Sequence, residues 1–427
     1  MRQVMENRRK AHQIYLKNLA ENPKETLDSV YHKNIEMHAQ RGIERLHELE
    51  TNTRLDTLKV LNLSYAGLKE IPPFVYGAIN IEMLVLDYND IKRLPKKLSS
   101  LKNLKHISWS NNGLDDYWWI RIGNLDQIET LNLSDNTLKR IPAGIGKLDS
   151  LKTLILDRNL FEAFPVKRLA RNEHIKKLMM NRCAWMKIQE ADYEKLKFIE
   201  ELHLNQCDLT SLDPSFYQMT GISELQLKSN KLKNLPEGIS DLTDLSKLSM
   251  YKNELEALPK DFYDLKNLEI VDLYYNKLQV IAPELGLLSK LKVLYLAHNE
   301  LYDIPESIGE LDGLTELYLH HNKFSVLPEG ISKLKNLQVI RVNDNYLMEF
   351  PEQVLELNHL KDLDVSNNQL SSIPVDVSGL AALKLFSYNG NEVDFDALEN
   401  QNLAVVIHKM IERGVICVPK ISIEKPQ

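Results

Sequence analysis

Apolar side chains recur along most of the chain in one compound pattern. A short alternating stretch, such as Glu224-Leu225-Gln226-Leu227-Lys228, places Leu at every second position, the period of a strand with one buried face. An Asn follows. Then comes a return segment such as Leu235-Pro236-Glu237-Gly238-Ile239-Ser240-Asp241-Leu242, in which Pro ends the extended stretch and apolar residues fall three and four apart. Anchored on L-x-x-L-x-L-x-x-N-x-L, the pattern fits fifteen copies between Leu58 and Val393. The Asn slot holds Ala66, Asn89, Asn112, Asn136, Asn159, Cys183, Cys207, Asn230, Asn253, Asn276, Asn299, Asn322, Asn345, Asn368 and Asn391. Successive slots lie 23 residues apart, except for three steps of 24 ending at Asn136, Cys183 and Cys207. A fixed period of this length predicts stacked coils in place of two or three globular domains.

Stacking predicts parallel strands, and each turn between them would bury unpaired peptide groups. An Asn amide carries two donors and an acceptor, enough to bond the backbone of its own coil and the next. The Asn residues from Asn89 to Asn391 are therefore expected to form a structural ladder. Cys183 and Cys207 are small enough to be buried in the same slot and are read as ladder substitutes, not as a catalytic pair.

The residues after the Asn turn sharpen this reading. Ile71-Pro72, Leu94-Pro95, Ile141-Pro142, Phe164-Pro165, Leu235-Pro236, Leu258-Pro259, Ile304-Pro305, Leu327-Pro328, Phe350-Pro351 and Ile373-Pro374 repeat one signature. With the ladder spacing, it resembles the leucine-rich repeat proteins, in particular the 23-residue intracellular class of Scribble-type and Ras-scaffold proteins and of bacterial and plant cytoplasmic relatives. The resemblance covers roughly residues 55–395. It implies an α/β solenoid, a horseshoe with a parallel sheet on its concave face, and an interaction role commonly directed at another protein. Three copies depart from the signature, with Tyr117-Trp118-Trp119-Ile120, Ile188-Gln189 and Leu212-Asp213-Pro214 in its place. They predict a local change of curvature or thicker convex helices between about 112 and 214, and a wider core or a convex contact at Trp118 and Trp119.

An array exposes apolar core at its first and last coils, so both ends need covers. Residues 1–54 read as a helical amino-terminal cap in separate segments: Ala11, Ile14, Tyr15 and Leu19 share one face, Leu27, Val30 and Tyr31 a second, Ile43 and Leu46 a third. A docking or dimerisation arm is the alternative use. Residues 396–427 read as a carboxy-terminal cap and tail, with a helix carrying Leu403, Val406, Ile407, Met410 and Ile411, a stop at Gly414 and a last strand near Val415-Ile416-Cys417-Val418.

About one residue in six is Leu, whereas Phe, Tyr and Trp together make 7% and the formal charge is −7. That balance argues against nucleic acid as a partner. The amino terminus MRQVMENRRKAHQ lacks the apolar run of a secretory signal, and no stretch has the length of a membrane span. With three widely spaced cysteines, these features lead to the expectation of a cytoplasmic protein that is not inserted in a membrane. No phosphate-binding loop, H-E-x-x-H or C-x-x-C is present. The flanks of the array are too short for a catalytic domain with its own core. The expectation is a non-catalytic protein without cofactors.

Function must then sit on the array surface. Solvent-facing concave positions are the third, fifth, seventh and eighth of each copy. Across copies 9 to 13 the fifth position reads Ser249, Asp272, Tyr295, Tyr318, Arg341; the seventh reads Tyr251, Tyr274, Ala297, His320, Asn343; the eighth reads Lys252, Tyr275, His298, His321, Asp344. Tyr251, Tyr274, Tyr275, Tyr295, His298, Tyr318, His320, His321 and Arg341 thus predict one contiguous partner-binding patch, because Tyr and Arg offer large contact area with few torsions to freeze. A solvated, self-stacking ladder is the plain alternative. Arg341 is expected to pair laterally with Asp364, and Arg158, Lys177 and Arg182 form a second, basic patch. Copies 3 and 4, with His106, Ser108, Ser110, Asn111, Thr130, Asn132, Ser134 and Asp135, read as plain solvated strand. The leading function is a protein-interaction module or scaffold, in intracellular signalling, that holds a protein or peptide on its concave face. One alternative is a secreted bacterial effector acting on a host protein. Another is a metal-dependent enzyme using His298, His320 and His321.

Overall fold

Each copy of the pattern contributes a strand of only three residues, because just the central apolar residue and its two neighbours lie between the turns. The computed structural model describes residues 23–93, 95–114, 125–141, 143–183, 188–394 and 402–418, with side chains from residue 37 onward. Two compact units result, Met1–Ile155 and Leu156–Gln427. The first begins with helix α1 (Pro23–Glu50) and carries β1 (Val60–Asn62), β2 (Met83–Val85), β3 (His106–Ser108), β4 (Thr130–Asn132) and β5 (Thr153–Ile155). These pair in parallel, in chain order.

The second unit carries β6 (Lys177–Met179), β7 (Glu201–His203), β8 (Glu224–Gln226), β9 (Lys247–Ser249), β10 (Ile270–Asp272) and β11 (Val293–Tyr295). It continues with β12 (Glu316–Tyr318), β13 (Val339–Arg341), β14 (Asp362–Asp364), β15 (Leu385–Ser387) and β16 (Ile416–Val418). All eleven pair in parallel and in chain order. Register equals repeat: Ile270 faces Val293, which faces Glu316, which faces Val339. The middle residue of each strand, from Leu61 to Phe386, is buried, and its neighbours face the open side of the sheet.

Return segments close the core from the other side as single 3₁₀ turns, for example Pro283–Leu287 and Glu306–Glu310. The thicker helices expected between 112 and 214 are not found among the described residues. That region has one α-helical turn, α2 (Val166–Leu169), and 3₁₀ turns at Tyr193–Leu196 and Pro214–Gln218. Aromatic rings fill the space instead: Phe164, Tyr193 and Phe216 meet with centroids 5.6–6.5 Å apart. Trp118 and Trp119 lie outside the described residues.

Hydrogen bonding at the Asn slot ties coil to coil. Asn299 Nδ2 donates to Leu273 O and Leu296 O, both at 2.9 Å, and its Oδ1 accepts from Leu278 N at 3.0 Å. The same bonds recur at Asn230, Asn253, Asn276, Asn322, Asn345 and Asn368. They recur also at Asn89, Asn136 and Asn391. Asn112 donates to Leu86 O and Ser110 O, and Asn159 to Leu156 O. The Cys207 thiol donates to Met180 O at 3.1 Å and the Cys183 thiol to Leu156 O at 3.7 Å, so each replaces the donor and leaves out the acceptor. Burial pushes the Cys183 thiol up to about 11 and that of Cys207 up to about 12. Both are protonated, inert donors.

The residue before each slot has positive φ, between 50° and 59° in every non-Gly case. That left-handed turn aims its N–H at the next coil: Tyr275 N donates to Ala297 O at 3.1 Å and His298 N to His320 O at 3.0 Å. The left-handed conformation costs about 1–2 kcal/mol at a non-Gly residue, which the ladder bonds offset.

Both ends differ in detail from expectation. The second and third amino-terminal segments are one continuous helix, α1, and the Ala11 to Leu19 face lies outside the described residues. Ile43 is 43% exposed, so it is not the apolar contact its spacing suggests. Among the residues of α1 whose side chains are described, 37–50, Gly42 is the buried one. It sits where a Cβ would overlap Tyr65 O and lie 2.7 Å from Ser64 O. Arg45 donates to Asn62 Oδ1 at 2.9 Å, and His38 stacks on Tyr65, which stacks on Tyr88 at 4.3 Å. Asn62, Ser64 and Tyr65 hold the fifth, seventh and eighth positions, so α1 lies on the open sheet face of the first coil. At the other end α3 (Leu403–Glu412) buries Leu403, Ile407 and Met410, while Ile411 at its margin is exposed. Gly414 turns the chain at φ 92°, and β16 adds to β15 with Cys417 buried.

Candidate functional site

Strands β9 to β13 bring the nine patch residues into one connected network on the open sheet face. At the fifth position Tyr295 and Tyr318 are direct register partners, and their rings stack at 4.7 Å and 16°. The Arg341 guanidinium lies 5.9 Å from the Tyr318 centroid, within range of a cation–π contact. At the eighth position Tyr275, His298 and His321 form a column with successive centroids 4.0 Å apart. Tyr251 joins through Tyr274 and Tyr275 at 5.9 and 5.7 Å, and His320 lies 6.3 Å from Tyr318.

A small residue makes the central link. Ala297 occupies the seventh position between Tyr274 and His320 and is fully buried. Because it has no ring to fill the space, the Tyr274 hydroxyl reaches across two coils to His320 Nε2 at 2.9 Å. The rings are thereby fixed by one another, with Tyr275 and His321 the most exposed.

Charge in the patch is set by diagonal contacts. Arg341 stands opposite Asp364 in register, yet its Nη2 pairs with Asp362 Oδ2 at 2.6 Å. This corrects the expected Arg341–Asp364 pair: Asp364 accepts from Ser366 N and Oγ instead, which turns its carboxylate away. Glu316 accepts from the Tyr318 hydroxyl at 2.8 Å, and Asp272 accepts from Ser249 Oγ at 2.6 Å. Burial, then the charges of His321, His298 and Arg341, push His320 down to about 4, and burial also lowers His298. His320 and His298 are thus neutral imidazoles at pH 7. His298 and His321 are stacked face to face, an arrangement that does not aim their nitrogens at a common point. Among the described residues no group of three His, Cys, Asp or Glu is placed to hold a metal.

The depressed His320 gives a pH dependence with a definite sign. Its unfolded imidazole takes a proton near pH ~6.5, whereas the folded one waits until about 4. Stability is therefore full above pH ~6.5 and falls as pH drops through that window. Thermal melting from pH 7.5 to 4.5 is expected to show a steeper decline for the native chain than for His320→Gln, which retains a partner for Tyr274. Equal slopes would contradict the assignment.

Two other regions differ from the sequence reading. Lys177 pairs with Glu201 at 2.5 Å and Arg182 donates to Gln206 Oε1, so the basic patch with Arg158 is partly neutralised within the strands. Copies 3 and 4 are not plain solvated strand, because Ser108, Ser110 and Ser134 are buried. Ser108 Oγ donates to Asp87 Oδ1 at 2.7 Å, Asn132 Nδ2 to Ser108 Oγ at 3.0 Å, and Ser134 Oγ to Asn132 at 2.6 Å. Short polar side chains on adjacent strands satisfy one another there and leave little for a partner. Sequence reading also missed the carboxylates Asp272 and Glu316 beside the tyrosines, although both stand at face positions.

Comparison with known proteins agrees with this architecture. The family described as Leucine rich repeat matches residues 266–324 and 289–347, and a second model of the same description matches 127–148 and 359–380. A protein of Arabidopsis thaliana with LRR repeats and a ubiquitin-like domain is 33% identical over 87 residues, 20% of this chain. The chain spans only 23% of that relative's length. Among solved structures, an LRR protein of Leptospira interrogans is 26% identical, covers 87% of this chain and 97% of its own, and superposes with a TM-score of 0.68. Toll from the Drosophila Toll–Spatzle complex shares the fold at 22% identity and a TM-score of 0.68, over 80% of this chain and 49% of its own. With fifteen Asn-slot copies, parallel three-residue strands and these matches, the chain is a leucine-rich repeat protein.

Proposed function

We propose that the chain is a non-catalytic protein-interaction module whose open sheet face in copies 9 to 13 holds a partner protein or peptide. The observation that carries this reading is the nine-residue network from Tyr251 to Arg341, whose rings hold one another in place. Rings already fixed lose little rotamer freedom when a partner covers them, and Tyr and Arg dominate binding hot spots. Toll, a fold neighbour, is described in complex with Spatzle, which supports a protein partner. A cytoplasmic scaffold in signalling is the setting proposed; its support is three free, buried cysteines.

Tyr295→Ala combined with Tyr318→Ala tests the site. Affinity capture with the full chain, followed by mass spectrometry, is expected to recover partners that the double variant loses by at least tenfold, with no change in the far-ultraviolet circular dichroism. Identical recovery by both chains would remove this face as the binding surface.

A further inference from the structure

Several carboxylates of the second unit that lie off the aromatic face are matched by Lys one coil away: Glu254 with Lys277 at 3.1 Å, Glu269 with Lys292 at 2.8 Å, Glu300 with Lys323 at 3.0 Å. On the open face of β10 to β14, Asp272, Glu316, Asp344 and Asp364 are in no direct ion pair with Lys or Arg among the described residues. Asp272, Asp344 and Asp364 accept from neighbouring Ser, Asn and backbone groups, Asp344 also lies 3.5 Å from His321, and Glu316 accepts from Tyr318. The one guanidinium of this face, Arg341, is committed to Asp362 at 2.6 Å. At the β8–β9 margin of the face, Lys228 and Lys252 are in no ion pair among the described residues.

We infer that the partner held by this face presents a cationic segment, with Arg or Lys side chains seated over the Tyr295–Tyr318 and Tyr274–Tyr275 rings and paired with Asp272 and Glu316. The inference rests on the binding reading given above and names the chemistry of its occupant. An Arg or Lys over a Tyr face gains from the ring quadrupole, and more so when a carboxylate lies beside the ring. Here the two coincide: Asp272 and Glu316 flank the stacked pair on adjacent and same-strand positions. Burial first and the Glu316 charge after it raise the phenols of both Tyr295 and Tyr318, so the negative field falls on the rings themselves. An acidic partner segment would meet Asp272, Glu316, Asp344 and Asp364 and be repelled.

The test is selection of a random 12-residue peptide library on the immobilised full chain, with counter-selection on the Tyr295→Ala, Tyr318→Ala chain. The expected peptides are enriched in Arg or Lys. Their affinity should fall at least tenfold on raising NaCl from 50 to 500 mM, as screening predicts, and at least tenfold in Asp272→Asn, Glu316→Gln. At 272 the amide oxygen still accepts from Tyr274 N while its nitrogen donates to the Ser249 hydroxyl, and at 316 the amide oxygen still accepts from Tyr318. Tyrosine-dependent peptides without basic enrichment, or basic ones indifferent to Asp272→Asn, Glu316→Gln, would overturn the cationic assignment alone. If no selected peptide depends on the tyrosines, the binding reading and this one fall together.

Discussion

Asn299→Ala lowers the stability of the second unit by about 4 kcal/mol, read as a drop in the urea midpoint. The estimate comes from three backbone groups that the amide satisfies, Leu273 O, Leu296 O and Leu278 N. Each would be left buried without a partner at a cost of about 1–3 kcal/mol, less what water entering the gap restores. Backbone pairing joins each coil to its immediate neighbours, so a broken rung also weakens coupling across it, and a second unfolding transition is expected beside the first. Asn299→Cys provides the sharper comparison. The thiols of Cys183 and Cys207 show what such a side chain does in this slot: they donate to carbonyls and accept nothing. The Cys variant should lose about two-thirds as much as the Ala variant, since its single S–H serves one carbonyl and leaves the other and Leu278 N orphaned. Equal losses would mean that the acceptor, not the donors, holds the rung.

The same slot explains why most of the fold was legible. Alternation of period two, an amide at fixed spacing and a Pro after the turn all point to one coil, and none requires knowledge of a distant residue. Face positions such as Tyr295 and Tyr318 were legible for the same reason, because residues one repeat apart become direct register partners. Contacts that cross the register were not. Tyr274 reaches His320 two coils away because Ala297 leaves the space, and Arg341 takes the diagonal Asp362 because Asp364 is already bonded to Ser366. Such choices depend on what a neighbour leaves free, and a repeat pattern carries no record of that. The serines of β3 and its following turn were misread likewise. A small polar residue at a face position looks solvated until Asp87 and Asn132 are seen to close over it.

Helix α1 shows where spacing fails altogether, and Gly42→Ala exposes the reason. In an isolated helix that change is favourable by about 1 kcal/mol, because Gly is the poorer helix former. Here a Cβ would overlap Tyr65 O and approach Ser64 O to 2.7 Å, and both oxygens belong to a turn pinned by Tyr65 N donating to Asp87 O at 3.0 Å. The turn cannot yield without breaking that bond, so the helix must lift. Among its described side chains Met37 and Ile43 are 40% and 43% exposed, and the Arg45–Asn62 hydrogen bond and the His38–Tyr65 stack join it to the coil. Gly42→Ala is therefore expected to raise tryptic cleavage after Arg41 and Arg45 at least tenfold, while Gln40→Ala, on the exposed side of the same helix, leaves it unchanged. Melting of the coils should shift little in either variant, because the described contacts of α1 are to Asn62, Ser64 and Tyr65 on the open face and not to the buried Leu61 and Leu63. A large loss of coil stability in Gly42→Ala would instead make α1 a structural cover. Unchanged cleavage would mean that the turn, and not the helix, gives way.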